Sequence, residues 1–564
     1  MAVKKTRAST VEFNPYTQAA RRLRQASKII REGGSLPIHE SRGLRALARG
    51  ILGHLDNHLG IIPLSPQDLV PPYIIKTVQY TSSVTEADRA AELRYTGNNV
   101  FCVKAGTIFL DFLTDSGTGA QSDRQWAEIM GADERYSHSV TFEQFVPTVQ
   151  QVFGKEFVLP VHQGRAAENI AFTVLLQHLM EKARSENKQI VCIGNTYFDT
   201  THGNTARQGA QVRTANCPEC NETEKYFPFK GNADVDKLAE IIKEVGPENI
   251  GFMVMTVVNN TVGGQPVSLK NLKAAHALAK QHGILLILDA ARIFENAYFI
   301  KVREEEYKDK SIQEIVLEMT RLADVVLMSC KKDAIANMGG LIATSDRDLY
   351  KMFETYCILI EGHYSYGGMS GRDLAALKQG LIEGSEFEYL RSRINQVTEL
   401  GNGFRRLGLP IQWPPGSNGV FLDGRKFLDH VNHLFFPAQR ICAEIYRRYG
   451  IRPVEIGLSL AGRGADGKRI IPDLDLVRFT VPRRVYTGEH MAFVLSALET
   501  LYQDRGNIGG LMFDKEGMGN GHFTSTFKLV SPGEIPQLLP EVERYFSAPL
   551  RVYDQSYLPP NARG

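Results

Sequence analysis

Ala323-Asp324-Val325-Val326-Leu327-Met328-Ser329-Cys330-Lys331-Lys332-Asp333 is the stretch on which the fold turns. The apolar run Val325–Met328 reads as a buried strand, and it delivers two adjacent lysines to the strand's end. Low-dielectric surroundings disfavour an ammonium, so a lysine held there has a lowered pKa and an amine free to form imines. About forty residues earlier, Ile284-Leu285-Leu286-Ile287-Leu288-Asp289 is a second apolar strand, ending in a carboxylate that can pair with a protonated pyridine nitrogen. A strand-end Asp followed by a strand-end Ser-x-Lys-Lys is the skeleton of a pyridoxal phosphate site, in which a lysine supplies the imine nitrogen.

Working outward, further apolar runs alternate with helical patterns between about 140 and 345: Gln189–Ile193, Phe252–Val258 and Leu341–Ala343. Continuous apolar runs between amphipathic helices mean strands covered on both faces, hence a mainly parallel α/β sheet. Ligands in such sheets bind at the carboxyl ends of the strands, where Asp289 and Lys332 lie. After about residue 395 apolar runs thin out, which reads as a smaller α+β domain. The expected organisation is a basic N-terminal extension (1–65), an arm and part of the small domain (66–115), a large cofactor-binding domain (116–395) and a small C-terminal domain (396–564).

The 564 residues carry 65 Lys/Arg against 63 Asp/Glu, so nothing global points to nucleic acid or a membrane. No apolar run reaches membrane-spanning length and no signal peptide is visible. Seven cysteines in so long a chain do not make a disulfide framework, so a cytoplasmic location is expected. Residues 1–60 hold 11 Lys/Arg against 4 Asp/Glu. That leader reads as a surface or oligomer-interface extension, with a targeting peptide as the alternative. Within it, Leu44, Leu47, Ala48, Ile51, Leu52, Leu55 and Leu59 recur at helical spacing and need a partner to bury them.

Several residues carry weaker signals singly. Gln163-Gly164-Arg165 opens a plausible helix, and helix N-termini bind phosphate through free N–H groups. Phe198 follows a strand and a turn and is placed to stack on a pyridine ring; taken alone it reads as core. Asn260 and Arg292 each follow a strand and suit a phenolate oxygen. Arg478 lies in a strand of the small domain, and an arginine fork fits an α-carboxylate. Cys217-Pro218-Glu219-Cys220 is a lone CxxC without a second ligand pair, which reads as two thiols in a surface loop. Gly462-Arg463-Gly464-Ala465-Asp466-Gly467 fits GxGxxG, but Pro472 leaves no room for the helix a dinucleotide site requires, so it too reads as a loop.

In order along the chain, LTDSGT (113–118), MGADERY (130–136), HQGRAAEN (162–169), GNTYFDTT (194–201), GGQPVS (263–268), LDAARIFENAYFIK (288–301), SCKKD (329–333), NMGG (337–340) and VRFTVPRRVYT (477–487) resemble the β-eliminating lyases, the group of tryptophanases and tyrosine phenol-lyases. The resemblance implies the aspartate-aminotransferase fold (fold type I), pyridoxal phosphate, an amino-acid substrate and a homotetramer. Carried over residue by residue, Lys332 resembles the Schiff-base lysine and α-proton base. Lys331, Ser329, Gln163, Gly164 and Arg165 resemble the phosphate cradle, and Phe198 the stacking ring. Asp289 resembles the partner of the ring nitrogen, and Asn260 and Arg292 those of the phenolate oxygen. Arg478, helped by Ser116, resembles the carboxylate clamp, and Tyr136 an acid contributed across a subunit interface. Gly117, Glu134 and Asn337 match the site of an activating monovalent cation, usually potassium.

The leaving group decides between the two activities. Where the tyrosine enzymes use a threonine and an arginine near the phenol hydroxyl, this chain has Asp199 and Ile456, and His522 matches a histidine typical of tryptophanases. A carboxylate accepts an indole N–H, whereas isoleucine cannot pair with a phenol oxygen. Against this, VPRRVYT is more like the tyrosine enzymes, and the glycine-rich stretch 514–521 is like neither. The expectation is β-elimination of L-tryptophan to indole, pyruvate and ammonia. The alternatives are the same reaction on tyrosine, elimination from cysteine or serine derivatives, and an inactive binding protein of the same fold.

Overall fold

The computed structural model describes residues 50, 53 and 55–549, apart from 187, 465 and 518–520. Contacts divide the chain into Met1–Pro63 and Leu64–Gly564. In the leader stripe, Leu44, Leu47, Ala48, Ile51 and Leu52 lie outside the described residues.

Seven strands form the main sheet of the second unit: β1 (Phe157–Val161), β2 (Val191–Gly194), β3 (Gln211–Thr214), β4 (Ile250–Thr256), β5 (Leu286–Asp289), β6 (Val325–Ser329) and β7 (Gly340–Thr344). Their order is β1-β7-β6-β5-β4-β2-β3, with β7 alone running antiparallel to its neighbours. The five expected runs are all strands of this sheet, shifted at their ends by one or two residues. The two strands not expected are both at edges, and each has a reason. β1 contains Pro160, which cannot donate to a ladder and so belongs at an edge. β3 is the polar Gln-Val-Arg-Thr, with no apolar run to find.

Alternation along the strands feeds two helical layers. Leu286 and Leu288 pack with Val149, Leu272, Ala297 and Val316 on one face, and Ile287 with Phe172, Leu176 and Phe353 on the other. The helices themselves start at polar caps. Ser311 accepts the Glu314 N–H while the Glu314 carboxylate takes the Ser311 N–H, fixing the first turn of Ile312–Arg321.

The smaller α+β domain holds an antiparallel sheet in which β10 (Leu476–Thr480) lies between β8 (Gly419–Asp423) and β9 (Val454–Ile456). A hairpin of β11 (Gly510–Lys515) and β12 (Thr526–Val530) stands beside it in sequence. Leu110–Asp111 pairs in parallel with Ile451–Arg452, so the chain visits this region before it builds the large sheet. Among the described residues no helix is long and apolar enough to cross a membrane.

Phe252, central in β4 and fully buried, meets Phe172 at 4.7 Å between ring centroids. We expect Phe252→Ala to cost about 3–5 kcal/mol through the cavity it leaves, seen as a lower denaturant midpoint; an unchanged midpoint would contradict this packing.

Candidate active site

The parallel strands all point their carboxyl ends to one edge of the sheet, and the loops there close around a cleft. Ser116, Gln163, Gly164, Arg165, Phe198, Asn260, Asp289, Arg292, Ser329 and Lys332 line it together. Ten of the positions singled out in sequence therefore converge, although they come from six separate stretches of chain.

One wall is the start of the helix Gly164–Glu186. A Cβ on Gly164 would stand 2.5 Å from the Ser329 Cβ, so only glycine lets the end of β6 press against this helix's first turn. Free N–H groups, the positive end of the helix dipole and Arg165 make that turn an anion site. Burial lowers the Lys331 pKa, and the nearby Arg165 cation lowers it further. An anionic phosphate relieves that repulsion.

Opposite lies Lys332, whose Nζ donates to Ser329 Oγ at 2.8 Å. Burial first, and the nearby Arg292 second, lower its pKa to about 8. Asp289 accepts the Ala291 N–H at 3.1 Å, and burial raises its pKa against the pull of Lys332 and Arg292. Gly117 takes a φ of +74°, and a Cβ there would sit 2.7 Å from Lys331 Cε and 2.8 Å from the Asn337 carbonyl. Its N–H donates to the Lys331 carbonyl at 2.7 Å, which ties the segment before the large domain to the lysine loop.

Arg478 is joined to the cleft through Asn260: its Nη1 donates to Asn260 Oδ1 at 3.1 Å and its Nη2 to the Leu113 carbonyl at 2.9 Å. Its buried Nε has no protein partner, an unmet donor that suits a carboxylate ligand. Asn260 Oδ1 also accepts from Asn418, so this amide is committed to holding Arg478. Arg292 is committed likewise: Nε and Nη2 form a two-pronged pair with Asp115 at 3.0 and 2.7 Å.

Beyond Phe198, Asp199 opens the helix Asp199–Arg207. Its Oδ2 lies 3.8 Å from His522 Nε2. His522 is buried against Phe523 and against Phe101, at 5.4 Å between ring centroids. Burial, reinforced by Arg478, lowers the His522 pKa to about 4, so the ring is neutral at pH 7. Ile456 packs with Phe421, Val454 and Leu476, and Phe101 and Leu113 lie against the same cluster. An apolar wall with one carboxylate and one neutral imidazole thus stands next to the cleft.

Two expected residues are not drawn in. Tyr136 is 77% exposed, beside His363 and Tyr366. Glu134 accepts from the Gly371 N–H and the Arg372 guanidinium of its own chain. Asn337 does meet Gly117, donating to its carbonyl at 3.0 Å, and Gly117 and Asn337 form one group without Glu134. Cys217 and Cys220 are free and buried, not in a surface loop, and burial raises both thiol pKa values, to about 12 and about 11. Among the described residues no group of three or more His, Cys, Asp or Glu is placed to hold a metal. The described residues of 462–467 are not helical, and Arg463 pairs with Glu516. Residues missed in sequence are Phe101, Asp115 and Glu168. The last two sit inside the quoted LTDSGT and HQGRAAEN motifs, where no role had been given to them; Phe101 carried no signal at all.

A family model described as beta-eliminating lyase matches residues 111–497. The chain belongs to that family. Relatives include a probable beta-eliminating lyase of Trichomonas vaginalis, 42% identical over 80% of this chain and 96% of its own. A tyrosine phenol-lyase of Fusobacterium nucleatum is 41% identical over 81% and 97%, and one of Lacrimispora saccharolytica 40% over 81% and 96%. The protein is a pyridoxal-phosphate-dependent carbon–carbon lyase of fold type I. Its own residues fit that cofactor. The Gly164 turn with Arg165, Ser329 and Lys331 would hold the phosphate, Phe198 a ring face, Asp289 the ring nitrogen and Lys332 the aldehyde carbon.

Behind Lys332 this lyase buries a cluster of charge. Arg483 donates to Asp115 at 2.9 Å, Glu295 at 2.7 Å and Asp333 at 2.9 Å. Arg393 pairs with Glu295 at 3.1 Å and Arg292 with Asp115. Asp333 also accepts the N–H groups of Phe294 and Glu295, capping the helix Ile293–Arg303. The two arginines of VPRRVYT are thereby placed away from the Asp199/His522 wall, since Arg484 pairs with Glu383 at 2.8 Å.

We expect Arg483→Leu to destabilise by about 3–5 kcal/mol, because it leaves carboxylates buried without their cation. The loss should shrink as pH falls toward 5, when protonation removes the unpaired charge; a loss independent of pH would contradict this. Lys332 attacks an aldehyde only as the neutral amine. Capture of pyridoxal phosphate by the apoenzyme should therefore speed up with rising pH and be half-maximal at about pH 8. A midpoint near the ordinary lysine value of 10.5 would contradict the lowered pKa.

Proposed function

We propose that the enzyme eliminates indole from L-tryptophan, leaving pyruvate and ammonia. The observation that carries this is the wall of Asp199, His522, Ile456 and Phe101. Asp199 is a hydrogen-bond acceptor for an indole N–H. A neutral His522 adds one donor and one acceptor without adding charge. Ile456 and Phe101 offer apolar surface to a bicyclic ring and nothing to a phenol oxygen.

Bound pyridoxal phosphate supplies the electron sink for the carbanion formed at the substrate's α-carbon. The protein does the rest. The Arg478 fork, helped by Ser116, orients the α-carboxylate. The Lys332 amine, with a pKa near neutrality, takes the α-proton. Indole leaves only after its C3 is protonated, so a positioned acid is required. In this reading Tyr136, exposed on its own chain, supplies that proton in the cleft of a second copy within a homotetramer. A monovalent cation such as potassium would sit at Gly117, Asn337 and a Glu134 brought in by assembly.

The second reading is elimination of phenol from tyrosine. It is favoured by the tyrosine phenol-lyases among the relatives at 40–41% identity. The Arg483-Arg484 likeness adds little to it, because both side chains are spent on buried ion pairs.

Lys332→Ala should abolish elimination from either amino acid, and unchanged turnover would sink the scheme. In Ile456→Arg, the ratio of kcat/KM for tryptophan to that for tyrosine should fall about tenfold or more, roughly 1.4 kcal/mol of transition-state discrimination. An unchanged ratio would mean that this wall does not face the leaving group.

A further inference from the structure

Glu168 has no part in the scheme above, yet it lines the same cleft as Asp289 and Lys332. It lies one helical turn beyond the phosphate cradle, on the helix Gly164–Glu186, and is 8% exposed. Thr201 donates its hydroxyl to Oε1 and Asn204 its amide to Oε2 at 3.2 Å. Both carboxyl groups face this cleft, and the charge of Asp289 disfavours a second charge on Glu168.

Which member holds it follows from their neighbours. Asp289 has cations near it, Lys332 and Arg292, and a backbone N–H. Glu168 is met by neutral donors, the hydroxyls of Thr200 and Thr201 and the amide of Asn204. Lys332 feels Glu168 only as the weakest of its charged neighbours, after Arg292, Asp115 and Asp289. Asp199, at the start of the helix that carries Thr200 and Thr201, adds a further carboxylate on that side, and Arg165 on Glu168's own helix is exposed. We propose that Glu168 is a positioning residue for the cofactor: in the free protein it carries the proton of the Glu168–Asp289 pair, so that Asp289 alone is ionised to receive the ring nitrogen. Burial and the Asp289 charge, which raise the Glu168 pKa to about 7, agree with this placement. The inference rests on the assignment of Asp289 to the ring nitrogen of pyridoxal phosphate.

A protonated ring nitrogen arriving at Asp289 draws the proton off its neighbour, so cofactor binding and Glu168 ionisation are linked. The test is calorimetric binding of pyridoxal phosphate to the full-length apoenzyme, from pH 5.5 to 8.5, in two buffers of different ionisation enthalpy. This yields the number of protons exchanged, without reference to turnover. Wild type should release about half a proton more than Glu168→Gln near pH 7, and the difference should fade by about pH 8.5, where Glu168 is already ionised in the free protein. Equal proton numbers at every pH would overturn the proposal, since a merely structural Glu168 leaves them unmoved. Thr201→Val provides an independent check. Without the hydroxyl that favours the carboxylate, the extra proton release should peak at higher pH than in wild type, and an unshifted peak would also overturn it. Absence of binding to wild type would instead strike at the cofactor assignment itself.

Discussion

The buried cluster around Arg483 is the constraint on which the active site rests. Burying ions is costly, and such a cluster persists only when every charge has an opposite partner. Here Asp115, Glu295 and Asp333 are matched by Arg292, Arg393 and Arg483, each buried. The six side chains come from the N-terminal segment, the large sheet's loops, the long helix Phe387–Arg406 and the small domain. Satisfying the cluster therefore fixes how those parts meet. Lys332 is flanked on one side by Ser329 at the end of β6 and on the other by Asp333, the cluster member that caps a helix N-terminus. The lysine needs no rigid neighbours of its own, because its loop is held at both sides.

The same arrangement sets the electrostatics. Arg292 is close to Lys332 but largely cancelled by Asp115, so the lysine feels burial more than repulsion. Arg478 is locked by Asn260 and Leu113 before any substrate arrives, and such preorganisation lowers the cost of binding a carboxylate. The wall of Asp199, His522, Ile456 and Phe101 is different in kind. It is apolar apart from Asp199 and His522, and burial keeps His522 neutral.

Much of this was legible in the sequence, for a physical reason. Central parallel strands are covered on both faces and so appear as unbroken apolar runs, and their ends mark the ligand edge; Asp289, Ser329, Lys332 and Gly164 all fall there. The edge strands were illegible because one contains Pro160 and the other is polar. Long-range pairing was illegible too. Nothing local joins Asp115 to Arg483, which lie 368 residues apart, and the role of Phe101 depends on His522, more than four hundred residues away. Arg292 and Asn260 both line the cleft, but their protein partners were not visible in the sequence. Tyr136 and Glu134 lie outside the chain's own cleft, one exposed and the other bonded to Gly371 and Arg372.

The account's central claim is that the Asp199/His522/Ile456 wall receives indole. It is tested most directly by steady-state turnover of tryptophan and tyrosine side by side on the wild-type enzyme, with pyridoxal phosphate and potassium present, measuring pyruvate together with indole or phenol. Indole from tryptophan with little phenol from tyrosine is the predicted result. Phenol as the dominant product would contradict it and give the site to tyrosine.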